Sequence, residues 1–113
     1  MNESRPFVRP IPKPEWQPLQ RNGAVGVEFR VLSERHDLVL ANLRFAPNAT
    51  IDEHSASFEI DVVCLSGEGF VSIEHEQAPF RRGETVTWPA RASHRLWTQG
   101  SPMEALMIER RES

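Results

Sequence analysis

The chain has 113 residues, of which 39% are apolar and 26% are charged, and its formal net charge is −3. This length suits one domain with one core, and the composition is that of a globular protein, which excludes a disordered or membrane-embedded chain. A mildly acidic protein lacks the basic face that phosphate contact requires, so neither nucleic acid nor an anionic membrane is expected as a partner.

Residues 1–25 are predicted to form an extended N-terminal arm. Prolines recur between Pro6 and Pro18, and proline lacks a backbone donor and disfavours helix at the residue before it. Trp16 is the expected anchor of this arm on the folded domain or on a second subunit. The N-terminus has no apolar signal core and no stretch is long enough to span a bilayer, so a cytoplasmic location is expected.

Residues 26–113 are predicted to form one domain of short β-strands. Val27, Phe29 and Val31 alternate with charged residues, which is the period of a strand. The next run places four apolar residues on one strand face: Val39, Ala41, Leu43 and Phe45. Pro47-Asn48 is predicted to end that strand.

The segment Phe58–Ser66 is the strongest strand candidate. Its even positions are all apolar, whereas its odd positions are acidic at Glu59 and Asp61 and apolar further on. Such a gradient suits a barrel interior that is wet at its mouth, which places Asp61 in the predicted substrate pocket. Cys64 is the only cysteine, and a small buried core residue is the favoured interpretation over a reactive thiol.

Gly67-Glu68-Gly69 is predicted to form a tight reversal, because glycine adopts positive φ at low cost. Further strand candidates follow, each separated from the next by a turn signal: 70–74, 78–81, 84–88, 94–98 and 103–109. Short strands at such regular spacing predict an all-β sandwich or closed barrel.

Two of the four histidines stand out. His36 and His75 fall in predicted polar turns. His54 ends a run that also contains Asp52, and two residues apart in a strand these side chains would share a face. Glu59 follows across a short turn, and His94 enters a later strand. Imidazoles and carboxylates that converge at a barrel mouth can hold a divalent first-row metal, and ordinary surface polarity is the alternative.

The spacing around His94 resembles the second motif of the cupin family. That motif has glycine, five residues, proline, one residue, glycine, two residues, histidine, three residues and asparagine. Here Gly83, Pro89 and His94 match in register, while Arg91 and Thr98 replace the second glycine and the asparagine. These departures concern turn and strand-end positions, so they affect geometry more than ligation.

The first cupin motif is present in degraded form. It has two histidines one residue apart, then three or four residues, glutamate, six residues and glycine. His54 matches the second histidine, Glu59 matches the glutamate, and Asp52 stands in the place of the first histidine. Gly67 lies one residue too far, so counting back from it puts Ile60 in the ligand position, unless a β-bulge absorbs the extra residue.

The resemblance implies a double-stranded β-helix, the jelly-roll barrel of RmlC-like cupins, behind the proline-rich arm. It also implies a metal held by His54, Glu59 and His94, with Asp52 as a fourth ligand or a catalytic base. Oxygen ligands would favour iron(II) or manganese, with zinc or nickel as alternatives. Trp88 and Trp97 flank His94 and would line the substrate pocket or, alternatively, pack in the core or an interface.

Two functions remain open at this point. One is a metal-dependent enzyme, a dioxygenase, decarboxylase or isomerase that acts on a small organic molecule. The other is a metal-free, non-catalytic module that binds a small molecule in the same pocket. A homodimer is expected in either case, because exposed strand edges need cover and twofold dimers dominate among oligomers.

Overall fold

The structure, a computed structural model, describes residues 5–111 and is built from β-strands. Within these residues no helix is both long and apolar enough to cross a membrane. The strands are β1 (Gln17–Pro18), β2 (Ala24–Glu34), β3 (Leu38–His54), β4 (Glu59–Ile73), β5 (Glu76–Arg81), β6 (Thr85–Trp88), β7 (His94–Trp97) and β8 (Met103–Arg110).

Two long strands, β3 and β4, organise the barrel because each pairs with several shorter ones. Strand β8 lies between the first part of β3, residues 38–45, and the first part of β4, residues 59–67. Strand β7 lies between their second parts. The remaining strands extend the sheet, β2 beside β3 and both β5 and β6 beside β4. The predicted all-β barrel is therefore confirmed.

The core lies on the face of β4 that carries its even-numbered residues. Ile60, Val62 and Cys64 are each at most 4% exposed and pack in one apolar cluster. Cys64 is thus a core residue, as predicted, and burial raises the pKa of its thiol. The prediction that the odd-numbered face of this strand lines the interior was wrong, because the apolar side chains occupy that volume and Asp61 faces outward.

Strand β3 does not end at Pro47-Asn48 as predicted. Pairing with β2 runs from Val39 to Phe45 and resumes at Thr50, and residues 46–49 bulge between these two stretches. Asn48 adopts φ 61° in this bulge, a left-handed conformation that asparagine tolerates better than most residues. The bulge bends β3, so one strand serves both sides of the barrel.

The reversal predicted at Gly67-Glu68-Gly69 lies elsewhere, since β4 continues to Ile73 and turns at Glu74-His75. The glycines instead allow close contact between backbones. A Cβ on Gly67 would lie 2.1 Å from the carbonyl oxygen of Pro102, and one on Gly69 would lie 2.5 Å from that of Trp97.

From Pro14 to Trp16 the chain lies against the outer surface of β2 and β3. The indole of Trp16 is contacted by the guanidinium groups of Arg30 and Arg44, 4.5 and 4.4 Å from its ring centroid. Arg30 also donates from Nη1 to the carbonyl oxygen of Pro14 at 3.1 Å. These contacts hold the chain against the sheet through cation–π attraction and a hydrogen bond.

Candidate functional site

His54 and His94 meet inside the barrel. His54 ends β3, His94 begins β7, and the two residues are paired in the sheet. Their Nε2 atoms lie 3.1 Å apart, and the rings are 4.3 Å apart between centroids with an angle of 74° between their planes. Two stretches of chain separated by 40 residues thus bring two imidazoles together.

A bulge in β3 turns His54 inward. Ile51 pairs with Leu96 and His54 pairs with His94, so β3 has one more residue than β7 in this stretch. The extra residue reverses the alternation of side chains. Ile51 and His54 consequently both line the interior, while Asp52 is exposed on the outer face. The expectation that Asp52 and His54 share a face was wrong for this reason.

Backbone carbonyls orient both imidazoles. Nδ1 of His54 lies 2.9 Å from the carbonyl oxygen of Asp52, and Nδ1 of His94 lies 3.2 Å from that of Ala92. Because a carbonyl oxygen only accepts, each Nδ1 carries the proton and donates it. In this tautomer each ring presents an Nε2 without a hydrogen, and two such nitrogens side by side can share one cation.

His94 is more deeply buried than His54 and is held from behind by Trp88. The indole of Trp88 lies parallel to the imidazole of His94, with centroids 3.9 Å apart and an angle of 5°. His94 is 1% exposed. Burial, followed by the proximity of His54, lowers its pKa to about 4, with a smaller contribution from the positive charge of Arg21.

The two carboxylates of the predicted ligand set lie away from the imidazole pair. Asp52 accepts a hydrogen bond from Thr50 Oγ1 at 2.8 Å and lies 3.5 Å from Arg95. Glu59 is exposed, with Arg110 Nε at 3.7 Å. Across residues 5–111, His, Cys, Asp and Glu side chains form no group of three or more that could hold a metal ion.

The residue of β4 that faces inward beside the imidazole pair is Ile60. The bulge considered from the motif spacing does exist in β4, because Cys64 pairs with Ala105 and Ser66 with Glu104. It lies at Leu65, beyond the ligand position, so it leaves Glu59 outside and Ile60 inside.

A cavity of about 420 Å³ opens beside His54. Apolar side chains from several strands form most of its wall, and three ionisable residues besides His54 contribute to it: Arg21, Glu109 and Arg111. The apolar side chains are Leu19, Phe29, Val31, Val39, Ala41, Leu43, Ile51, Ala56, Phe58, Ile60, Trp88 and Met107. The sequence reasoning missed Arg21, because a lone arginine in a loop carries no motif.

Of the three residues predicted to line the substrate pocket, Trp88 lines this cavity, and Trp97 and Asp61 lie on the opposite face of the sheet, where Trp97 is nevertheless buried. Trp97 stacks on Phe70 at 5.7 Å. Asp61 accepts from Thr87 Oγ1 at 2.7 Å and from Arg110 Nη2 at 2.6 Å. These two hydrogen bonds lower the pKa of Asp61, the one from Thr87 having the larger effect.

Solved structures with the same architecture cover most of the chain. The polyketide cyclase RemF from Streptomyces resistomycificus is 17% identical, with a TM-score of 0.81 over 99% of this chain and 80% of its own. An RmlC-like cupin from Shewanella frigidimarina is 15% identical, with a TM-score of 0.76 over 87% and 84%. A cupin superfamily protein from Desulfitobacterium hafniense is 16% identical, with a TM-score of 0.74 over 92% and 97%. The chain has the cupin fold. No family model and no curated protein sequence matches it.

Two positions depart from the second motif, and the structure shows what the residues there do. Arg91 replaces a glycine and adopts φ 68°, a left-handed conformation that glycine adopts without strain. Thr98 replaces the asparagine and is buried. Its Oγ1 donates to the carbonyl oxygen of Ala46 at 2.6 Å and accepts from the amide of Ala49 at 2.9 Å, so it fixes the bulge of β3 to the end of β7.

Proposed function

We propose that this cupin binds a small, largely apolar organic molecule in the 420 Å³ cavity and acts on it with a divalent metal ion held by His54 and His94. The supporting observation is the 3.1 Å approach of two Nε2 atoms whose rings each donate from Nδ1 to a carbonyl. Histidines that bind metals commonly show this arrangement, in which the second ring nitrogen donates to a carbonyl or carboxylate.

The two nitrogens suit neighbouring positions on one metal ion. Metal–imidazole bonds of about 2.1 Å end about 3 Å apart at the right angle of octahedral coordination and about 3.4 Å apart at the tetrahedral angle, and the 3.1 Å between the Nε2 atoms lies between these values. When bound, the metal would supply a Lewis acid that polarises an oxygen atom of the organic molecule. His54 and His94 hold the ion, and the apolar wall excludes water from the reacting group.

The donor set bears on the choice of metal and reaction. The preference for iron or manganese depended on Asp52 and Glu59 as ligands, and both lie away from the imidazole pair. Imidazole nitrogen alone suits zinc or nickel better than manganese. Since zinc has no redox chemistry, an isomerase or lyase reaction fits this site better than a dioxygenation. One of the similar structures, that of the polyketide cyclase RemF, also belongs to an enzyme.

Metal binding by chelator-washed protein tests this proposal. Zinc and nickel are titrated by calorimetry into the wild type, His54→Gln and, as a matched control, His36→Gln, whose side chain is exposed in the turn between β2 and β3. We expect about one equivalent of metal in the wild type and the control, and loss of binding in His54→Gln. Less than about a tenth of an equivalent in the wild type would overturn the metal centre.

A metal-free binding module is the second candidate, and it is favoured by the two-ligand donor set. In that case a shared proton, or a change of tautomer in one ring, places a hydrogen between the two Nε2 atoms. Ligands that stabilise the chelator-washed protein without turnover would support this candidate. The homodimer and the cytoplasmic location stay predictions.

A further inference from the structure

The charges of the ionisable side chains in the cavity wall do not cancel. Glu109 accepts from Arg111 Nε at 2.8 Å and from its Nη2 at 2.5 Å, so these two side chains neutralise each other. Arg21 also lines the cavity. Among residues 5–111 its side chain has no hydrogen-bond or ion-pair partner. Arg21 is an exposed residue, so the wall presents one solvent-accessible positive charge that no described side chain pairs.

The loop that carries Arg21 is held in place beside the imidazole pair. The amide of Asp52 donates to the carbonyl oxygen of Gly23 at 2.8 Å, and the amide of Ala24 donates to the carbonyl oxygen of Arg21 at 3.2 Å. Gly23 adopts φ 84° and lies so close to β3 that an added Cβ would be 3.1 Å from Cβ of Asp52. These contacts fix the loop two residues from His54.

We propose that Arg21 binds an anionic group of the ligand. The cavity would then select apolar molecules of two or three rings that carry a carboxylate or a similar anion. This inference rests on the proposed function of the cavity and names its substrate class. The guanidinium supplies planar donors that match such an anion, and the apolar wall receives the rest of the molecule. An apolar cavity of about 150 Å³ accommodates benzene, so 420 Å³ has room for two or three rings.

Two fluorescent dyes that differ by one anionic group test the proposal. The probes are 1-anilinonaphthalene-8-sulfonate and its uncharged counterpart N-phenyl-1-naphthylamine. Their dissociation constants are measured for the wild type, Arg21→Met and the matched control Arg82→Met, an exposed arginine outside the cavity wall. We expect the wild type and Arg82→Met to bind the sulfonate about five- to tenfold more tightly than the neutral dye. Arg21→Met should abolish this preference while the neutral dye binds as before.

A variant that fills the cavity separates failure of the inference from failure of the proposed function. Ala56 lines the cavity in the loop between β3 and β4, so Ala56→Trp should displace both dyes. Displacement of both dyes by Ala56→Trp, combined with equal affinities in the wild type and in Arg21→Met, would overturn the role of Arg21 and leave the cavity as the ligand site. Dye binding that Ala56→Trp does not reduce would overturn both.

Discussion

Trp88 and His94 lie face to face, with ring centroids 3.9 Å apart and planes within 5° of parallel. The indole therefore packs against His94, the more deeply buried imidazole of the pair. Trp88 is itself 3% exposed, and its Nε1 has no hydrogen-bond partner among the described residues. Its place in the site depends on the flat ring and not on its N–H group.

Replacement of Trp88 tests this relationship. Trp88→Ala should reduce the free energy of unfolding by about 3–5 kcal/mol, because it leaves a cavity behind His94. Trp88→Phe should cost at most about 1 kcal/mol, since it keeps an aromatic face and removes an unpaired buried donor. Urea denaturation measures both values, and equal losses in the two variants would show that the stack does not position the imidazole.

Acid should destabilise the metal-free protein through His94. The pKa of His94 falls from 6.5 to about 4 on folding, so between these values the unfolded chain binds a proton that the native state does not. The stabilising contribution is complete above pH 6.5 and is lost as the pH falls toward 4, with a limit of about 3 kcal/mol.

Comparison with His94→Gln isolates this contribution from the carboxylates that titrate in the same range. The free energy of unfolding of chelator-washed protein is measured from pH 8 to pH 4 for both proteins. Their difference should shrink as the solution becomes more acidic. Parallel curves would mean that His94 does not titrate below its usual range.

The outward carboxylates should be dispensable for metal binding. Asp52→Asn and Glu59→Gln keep side-chain size and remove the charge, and each should change the dissociation constant for zinc by less than about twofold, as expected for groups that do not ligate. Calorimetry with chelator-washed protein provides the measurement. A loss of more than about tenfold in either variant would restore that carboxylate as a ligand.

The imidazole pair could be predicted from the sequence, and the position of the carboxylates could not. The motif spacing around Gly83, Pro89 and His94 locates the start of β7, and His54 follows from the first motif. Whether Asp52 shares a face with His54 depends on the bulge between them, which arises from pairing with β7. Pairing between strands distant in sequence leaves no local signal, so a period of two gives the wrong face.

The wrong placement of Trp97 and Asp61 in the pocket could have been avoided from the sequence. Trp97 lies three residues after His94 and Asp61 one residue after Ile60, so strand alternation already puts each on the opposite face from its inward neighbour. Proximity in sequence to His94 favoured Trp97 as a pocket residue, although alternation excludes it. The even-numbered positions of β4 were recognised as apolar, but the interior was assigned to the odd-numbered face, whereas the even-numbered face packs in the core.

The glycine at position 67 should be far less replaceable than those in open turns. A Cβ there would meet the carbonyl oxygen of Pro102 at 2.1 Å, and the residue also adopts φ 75°. Gly83 adopts φ 87° with open space around it, whereas Gly100 has open space and no positive φ. The three positions thus separate close backbone contact from conformational strain.

Alanine at each position measures these effects separately. Gly83→Ala should cost about 1 kcal/mol from the left-handed conformation alone, and Gly100→Ala should cost close to nothing. Gly67→Ala should cost more than about 3 kcal/mol or yield insoluble protein, because the backbones of β4 and the segment before β8 must separate. Urea denaturation and the soluble fraction on expression report the outcome in either case. A cost for Gly67→Ala no greater than that for Gly83→Ala would mean that the two backbones are not in contact.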